Sequence, residues 1–121
     1  MKKILFIITI VLSSFIEINA QSVSCQELMD YVYSKGSRKD AIENYLLTKS
    51  SWLNSIESYT VDNKIVIIAG IKNNGYEKKY IFCDIPSKVW DIFYGNRRLI
   101  LNKTIGEQFR EYIFPYQCEC K

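Results

Sequence analysis

Four cysteines, Cys25, Cys83, Cys118 and Cys120, constrain this chain more than any other feature, because every one of them follows an N-terminal stretch of export type. In an oxidising compartment an even number of cysteines reads as disulfides, here two. Joining Cys118 to Cys120 would close a ring too tight for ordinary disulfide geometry. Both remaining pairings tie the C-terminal pair to Cys25 and Cys83, and the long enclosed loops make each bridge worth about 2–4 kcal/mol. Two other uses of thiols fit less well. The Cys-x-Cys tail is a candidate for thiol–disulfide exchange but lacks the helical Cys-x-x-Cys context that lowers a thiol pKa. Zinc on four thiolates would call for paired ligands about two to four residues apart.

The N-terminal stretch opens with Lys2 and Lys3, continues as an apolar run from Ile4 to Ile16 broken only by Thr9, Ser13 and Ser14, and ends at Ile18, Asn19 and Ala20. This is the charge, length and small-residue ending of a secretory signal peptide, with cleavage expected near Ala20 and Gln21 as the mature N-terminus. As a membrane anchor it falls short: thirteen residues rise about 20 Å as a helix against a hydrocarbon layer of about 30 Å, and Glu17 follows directly. A lipoprotein cut before Cys25 is disfavoured by Gln21, Ser22, Val23 and Ser24, which separate that cysteine from the apolar run. The expected location is therefore secreted or periplasmic, with no stable membrane span in the mature chain. Of 121 residues, 101 remain, too few for a TIM barrel or a full dinucleotide-binding fold. A body of that size has a thin core and gains from covalent staples. Loss of Lys2, Lys3 and Glu17 lowers the net charge from +3 to +2, which asks for no polyanionic partner.

Periodicity then divides the mature chain. Ser24 and Glu27 form a capping box ahead of Cys25, Leu28, Met29 and Val32, which share a helix face that Gly36 ends. Ser37 and Asp40 repeat the cap spacing, and Ala41, Ile42, Tyr45 and Leu46 fall on one side, so residues 37–48 read as a short second helix, with Tyr45, Leu46 and Leu47 equally compatible with an extended segment. From Ser51 the period approaches two: a strand with Trp52, Ile56 and Tyr59 runs to Val61, and Asp62 and Asn63 turn the chain. The β-branched run Ile65, Val66, Ile67, Ile68, Ala69 and Ile71 is apolar on both faces, the mark of a central strand covered on each side. Asn73, Asn74 and Gly75 are a hairpin signal leading to a third strand from Tyr76 to Cys83. Pro86 suits a first helical turn, with Val89, Trp90 and Phe93 as the apolar stripe and Gly95 as the stop. Leu99, Ile100 and Leu101 suggest a short edge strand. Thr104 and Glu107 cap a last helix carrying Ile105, Phe109, Tyr112 and Ile113, which Pro115 closes.

The expected fold is α+β: a three-stranded antiparallel meander with an N-terminal helix or helices, two C-terminal helices packed on the sheet, and two disulfides. The expected division is a signal peptide at 1–20, a helical segment at 21–48, an α+β domain at 49–114 and a disulfide-tethered tail at 115–121.

One group of residues resembles a known family. Ser50 and Ser51 precede the first strand of the meander, Tyr80 and Phe82 lead to Ile85 and Pro86, and Val89, Trp90 and Phe93 follow. Thr104, Gly106, Phe109 and Ile113 then stand two, three and four residues apart. This resembles the KTSC domain family, named for a C-terminal extension of some lysyl-tRNA synthetases, over about residues 49–114. Thr104 stands where that family has serine, and Arg97, Arg98 and Leu99 fill a loop that is small and polar there. The resemblance implies a small accessory domain that binds nucleic acid or protein, here in a secreted version with added cysteines.

The absence of histidine excludes every Ser-His triad and every His-based metal site. Asp84 and Asp91 flank the Pro86 helix, but Asp84 is placed to cap it and Asp91 to face water. Ser50 and Ser51 read as turn residues. No catalytic residue, metal ligand or cofactor is implied. Lys78, Lys79, Lys88, Arg97, Arg98, Lys103 and Arg110, with Tyr76, Tyr94 and Tyr112, are candidates for a nucleic-acid surface, although nearby acidic residues balance them. The favoured reading is an exported, non-catalytic binding or structural module acting on a protein or an envelope component through Tyr94, Arg97, Arg98 and Tyr112. On that reading, replacing Arg97 and Arg98 together leaves stability almost unchanged.

Overall fold

The computed structural model describes residues 23–98 and 104–120. The expected signal peptide, its cleavage point, the edge strand at Leu99 to Leu101 and Lys103 lie outside these residues. The chain divides into two units, Met1–Asp30 with Glu119–Lys121, and Tyr31–Cys118.

Helix α1 (Cys25–Lys35) starts in the first unit, where it has the expected capping box, and its residues from Tyr31 onward belong to the second. The Glu27 N–H donates to the Ser24 hydroxyl at 3.0 Å, and the Ser24 N–H donates back to the Glu27 carboxylate at 3.2 Å. Two of the orphan donors of the first turn are thereby satisfied. Cys25 is bridged to Cys120 within the first unit.

The second unit is built on a four-stranded antiparallel sheet in the order β1 (Ser37–Ala41), β2 (Leu53–Val61), β3 (Lys64–Asn73), β4 (Tyr76–Ile85). Its helices are α2 (Asn44–Leu47), α3 (Ser87–Gly95) and α4 (Ile105–Tyr112), and a 3-10 turn spans Phe114–Tyr116. Cys83 is bridged to Cys118. The expected meander is present as β2, β3 and β4. Both of its two-residue turns take the left-handed backbone that matches strand twist: φ is 52° and 63° at Asp62 and Asn63, and 50° and 94° at Asn74 and Gly75.

The expected three-stranded sheet is corrected to four strands, because residues 37–41 are a strand and not the start of a helix. Ser37 and Asp40 have capping spacing, but their partners are distant. Ser37 pairs with Thr60 and Arg38 with Tyr59. The Asp40 N–H donates to the Ser58 hydroxyl at 2.8 Å, and that hydroxyl donates to the Asp40 carbonyl at 2.7 Å. The Asp40 carboxylate, which a cap would have used, accepts from the Trp90 indole N–H at 2.8 Å. Helix formation in the following residues is confined to α2, where Leu46 and Leu47 are buried while Tyr45 is exposed.

Strand β3 is buried without interruption from Ile65 to Gly70. Side chains alternate across a strand, so Ile65, Ile67 and Ala69 join one cluster with Trp90, Phe93 and Phe109 of α3 and α4. Phe109 is the hub of that cluster, with its ring 5.3 Å from Phe82, 5.9 Å from Phe93 and 6.1 Å from Trp52, each in an edge-on arrangement. Val66 and Ile68 face the other side, where the Tyr33 ring of α1 meets Tyr59 edge-on at 5.8 Å. Helix α4 carries its own capping box between Thr104 and Glu107, as its sequence indicates.

Gly106 lets α4 approach the start of β2. A Cβ there would lie 2.7 Å from Trp52 Nε1 and 2.8 Å from Ser50 Oγ, whereas one at Gly95 would meet nothing within 4 Å. Gly106→Ala is expected to destabilise the domain by about 1–3 kcal/mol through overpacking, and Gly95→Ala to stabilise it by about 0.4–1 kcal/mol through the unfolded state. Urea denaturation followed by tryptophan fluorescence measures both, and equal effects at the two sites would refute this packing account.

Candidate functional site

Three of the four residues expected to form a binding surface meet at the C-terminal end of α3, around Glu43. The Arg97 guanidinium lies 3.8 Å above the Tyr94 ring. Its Nε and Nη2 donate to the two Glu43 carboxylate oxygens at 2.8 and 3.2 Å, and its Nη1 donates to the Tyr94 carbonyl at 2.8 Å. Arg98 Nη2 also donates to Glu43. Tyr94 in turn stacks on Trp90 at 5.7 Å, and Trp90 is held by Asp40. Arg97 is thus the end of a column that runs through Tyr94 and Trp90 and is gripped by two carboxylates from residues 40–43. Its side chain is only 13% exposed against 60% for Arg98, so Arg97 belongs to the scaffold and Arg98 to the surface. Tyr112 packs separately against the core cluster from α4.

This clasp sets the ionisation of its members. Hydrogen bonds from Arg97 and Arg98 hold the Glu43 carboxyl down at about 2, far below the usual carboxylate range. The bond from Glu43 raises both guanidinium pKa values. A planar fork on a carboxylate is the strong form of such a bond.

The remaining candidates disperse. Lys78 lies 5.3 Å from the centre of the Tyr80 ring, Lys79 is 3.4 Å from Glu57, and Arg110 lies 4.7 Å from the centre of the Trp52 ring. Lys88 is exposed on α3. Ser50 is buried and shapes a turn: its hydroxyl accepts from the Leu53 N–H at 2.9 Å and the Trp52 N–H at 3.3 Å. Asp84 does not cap the following helix, whose N-cap is Pro86 with no side-chain bond. It sits instead at a β4 bulge with φ of 53°, its carboxylate 3.5 Å from Lys64. Among the described residues no group of three or more His, Cys, Asp or Glu could hold a metal ion, and no helix is long and apolar enough to cross a membrane.

The sequence reading passed over two polar groups on the sheet face opposite the main core. In the first, Glu57 accepts from the hydroxyls of Tyr33 and Tyr59, each at 3.3 Å, and pairs with Lys79. Burial, followed by the Glu57 charge, pushes both phenols up, so they stay neutral donors. In the second, Glu77 of β4 lies across β3 to accept from Asn54 Nδ2 at 2.7 Å and the Ser55 hydroxyl at 2.9 Å. The Ser55 oxygen also accepts the Gly70 N–H at 3.1 Å. The bond from Asn54 and, after it, the bond from Ser55 favour the Glu77 carboxylate and lower its pKa against the opposing effect of burial. Gly70 makes this crossing geometrically feasible, since a Cβ there would run into the Glu77 carboxylate and the Ser55 hydroxyl. A lone glycine inside a β-branched run is the sequence signal of such a close approach. Asn54, Lys72, Gly75, Tyr76 and Glu77 line a cleft of about 370 Å³, and Asn54 and Lys72 also border a second depression of about 460 Å³ beside α2.

Arg97→Ala is expected to lower Tm by about 4–8 °C, the shift that about 1 kcal/mol produces in a domain of this size, while Arg98→Ala leaves Tm nearly unchanged. This replaces the expectation that both arginines are thermally silent, and differential scanning calorimetry on the two single variants decides between them. A second outcome concerns acid. Glu43 has a folded pKa of about 2 against an ordinary value of 4.5, so its contribution is present above pH 4.5 and is lost as pH falls towards 2. The stability advantage of the wild type over Glu43→Gln should shrink across that window. Denaturant titrations at several pH values would show a constant difference if the clasp were energetically idle.

No protein-family model matches the chain, and no curated protein or solved structure matches it.

Proposed function

We propose that the chain is an exported, disulfide-stapled, non-catalytic binding module whose partner is a protein or an envelope component. The observation that carries this reading is the pairing of all four cysteines: Cys118 and Cys120, separated by one residue, go to Cys83 and Cys25 respectively. Two bridges anchored in so short a tail are a design for an oxidising compartment, where each contributes about 2–4 kcal/mol by restricting the unfolded chain. The apolar run after Lys2 and Lys3 and the small-residue ending at Ala20 support the same compartment. Arg98, with the exposed edge of Tyr94, supplies a recognition patch on the rigid Arg97 clasp.

The resemblance to the KTSC family supports an accessory role for residues 49–114. Its pattern residues share one site of close packing, where Gly106 meets Ser50 and Phe109 meets Phe82 and Phe93. Nucleic-acid binding is the reading that follows if that resemblance extends to function.

Peptide mapping by mass spectrometry, on protein from its own cells with thiols blocked before reduction, tests the proposal. The expected product begins at Gln21 and carries Cys25–Cys120 and Cys83–Cys118. Four free thiols on a chain retaining Met1 would overturn it. A parallel titration with single-stranded oligonucleotides is expected to show no steep dependence on salt, and a steep slope would move the nucleic-acid reading to the front.

A further inference from the structure

The two bridges leave the same short tail but stand in different chemical settings. Cys83–Cys118 joins segments that backbone pairing already holds together: Phe82 bridges Gln117, and the Cys118 N–H donates to the Ile81 carbonyl at 3.1 Å. When such a bridge opens, its two thiols stay close to each other, and their high effective concentration closes it again. It also lies wholly within the larger unit, Tyr31–Cys118, which therefore keeps its own covalent link whatever happens to the other bridge.

Cys25–Cys120 lies in the smaller unit and starts at the first residue of α1. The Leu28 N–H donates to the Ser24 carbonyl at 3.1 Å, which makes Ser24 the N-cap and Cys25 the first residue inside the helix. A helix start leaves four N–H groups without intrahelical partners, and the capping box uses those of Ser24 and Glu27. The N–H groups of Cys25 and Gln26 remain, with no acceptor among the described residues. A negative charge on Cys25 thus sits beside unspent donors at the positive end of an eleven-residue helix, a setting that favours thiolate over thiol. The acid of the same turn, Glu27, directs its carboxylate to the Ser24 N–H. The other sulfur has the opposite bias, because Glu119 adjoins Cys120 and a negative neighbour disfavours a thiolate. Exchange expels the sulfur that leaves more readily as thiolate. The helical setting that the Cys-x-Cys tail lacks locally is therefore supplied by its partner, 95 residues upstream.

We infer that Cys25–Cys120 is an exchange-active bridge that dithiol reductants open selectively, with Cys120 as the sulfur attacked and Cys25 as the leaving group, while Cys83–Cys118 is the structural bridge. In the first step a thiolate of the dithiol bonds to Cys120 Sγ, and the Cys25–Cys120 bond breaks with its electron pair going to Cys25. In the second step the other sulfur of the reductant bonds to the first, and Cys120 Sγ leaves and takes up a proton. The dithiol ends as a disulfide and two electrons pass to the protein. Of the two protons the dithiol gives up, one ends on Cys120 and the other goes to water, since Cys25 stays a thiolate. Residues 119 and 120 are then released from the start of α1 while one bridge is kept. This goes beyond the binding-module reading, which needs both bridges to form but gives them no separate roles.

The test uses the full oxidised protein, treated with dithiothreitol for graded times, quenched with an alkylating agent and mapped by mass spectrometry. Alkylated Cys25 and Cys120 are expected to appear about tenfold faster than alkylated Cys83 and Cys118. Glutathione, a monothiol, is expected to be trapped as a mixed disulfide on Cys120 and not on Cys25. A second measurement isolates the cause: in Cys120→Ser, with Cys25 free and the other bridge kept, the pH profile of Cys25 alkylation is expected to have its midpoint below the ordinary thiol value of about 8.5. Opening of both bridges together, earlier opening of Cys83–Cys118, glutathione on Cys25, or a Cys25 midpoint at or above that ordinary value would each overturn the proposal. None of these outcomes touches the module reading, whose own test is that both bridges form.

Discussion

Strand β3 has no solvated face, and the rest of the second unit follows from that. Its six consecutive buried residues from Ile65 to Gly70 require cover on both sides. One side receives α3 and α4, with Trp90, Phe93 and Phe109 entirely buried. The other side receives Tyr59 and the Tyr33 ring, whose hydroxyls need partners because they lie over an apolar strand. Glu57 and Lys79 supply those partners at the rim. A fold of this size thus spends its apolar residues on one strand and resolves the polar consequences at the margin of the sheet. Tyr59 is buried and Tyr33 is 43% exposed, so the two phenols, the carboxylate that accepts from them and its paired ammonium form one satisfied polar group at the edge of the covered face.

What was legible in the sequence is what local chemistry decides. The left-handed turns at Asp62–Asn63 and Asn74–Gly75, the doubly apolar β3, the boxes at Ser24 and Thr104 and the stripe of α3 all depend on residues within a few positions of one another. Strand β1 was not legible, because the partners that hold it, Ser58 and Trp90, stand 18 and 50 residues from Asp40. Asp40 carried a capping signal that long-range bonds overrode. The same distance rule explains the clasp. Arg97 and Arg98 read as surface charges because Glu43, which engages both, lies more than 50 residues upstream. The Glu77 crossing was not read from the sequence: Gly70 interrupts the apolar run without having been singled out, and nothing local indicated that Glu77 would be the group lying over it.

The clasp and the missed strand are two aspects of one device. Residues 40–43 form a short connection with two carboxylates, Asp40 directed to Trp90 and Glu43 to Arg97. Helix α3 is therefore gripped at its centre and just past its C-terminal end by the same stretch that extends the sheet. A helix of nine residues with no side-chain N-cap has little stability of its own, and the column of Trp90, Tyr94 and Arg97 gives it a fixed orientation. The acids also explain why a basic surface fails to accumulate there: each guanidinium is matched to a carboxylate that the fold has already committed.

A sheet of four strands has two edges, and an exposed edge is a template for unwanted pairing. The β1 edge is short, carries Arg38 and Lys39, and breaks register between Arg38 and Ala41. The β4 edge is longer and is closed at its far half by the tail, where Phe82 bridges Gln117 and the Cys118 N–H donates to the Ile81 carbonyl at 3.1 Å. The Cys83–Cys118 disulfide lies beside those contacts, so it holds a cover over the strand edge as well as shortening the unfolded chain. The near half, towards Tyr76, bears Lys78 and Lys79, charges that discourage strand addition. In this arrangement the tail cysteines are worth more than their loop entropy: removing the Cys83 bridge frees the segment that seals the longer edge, and stability and solubility then fall together.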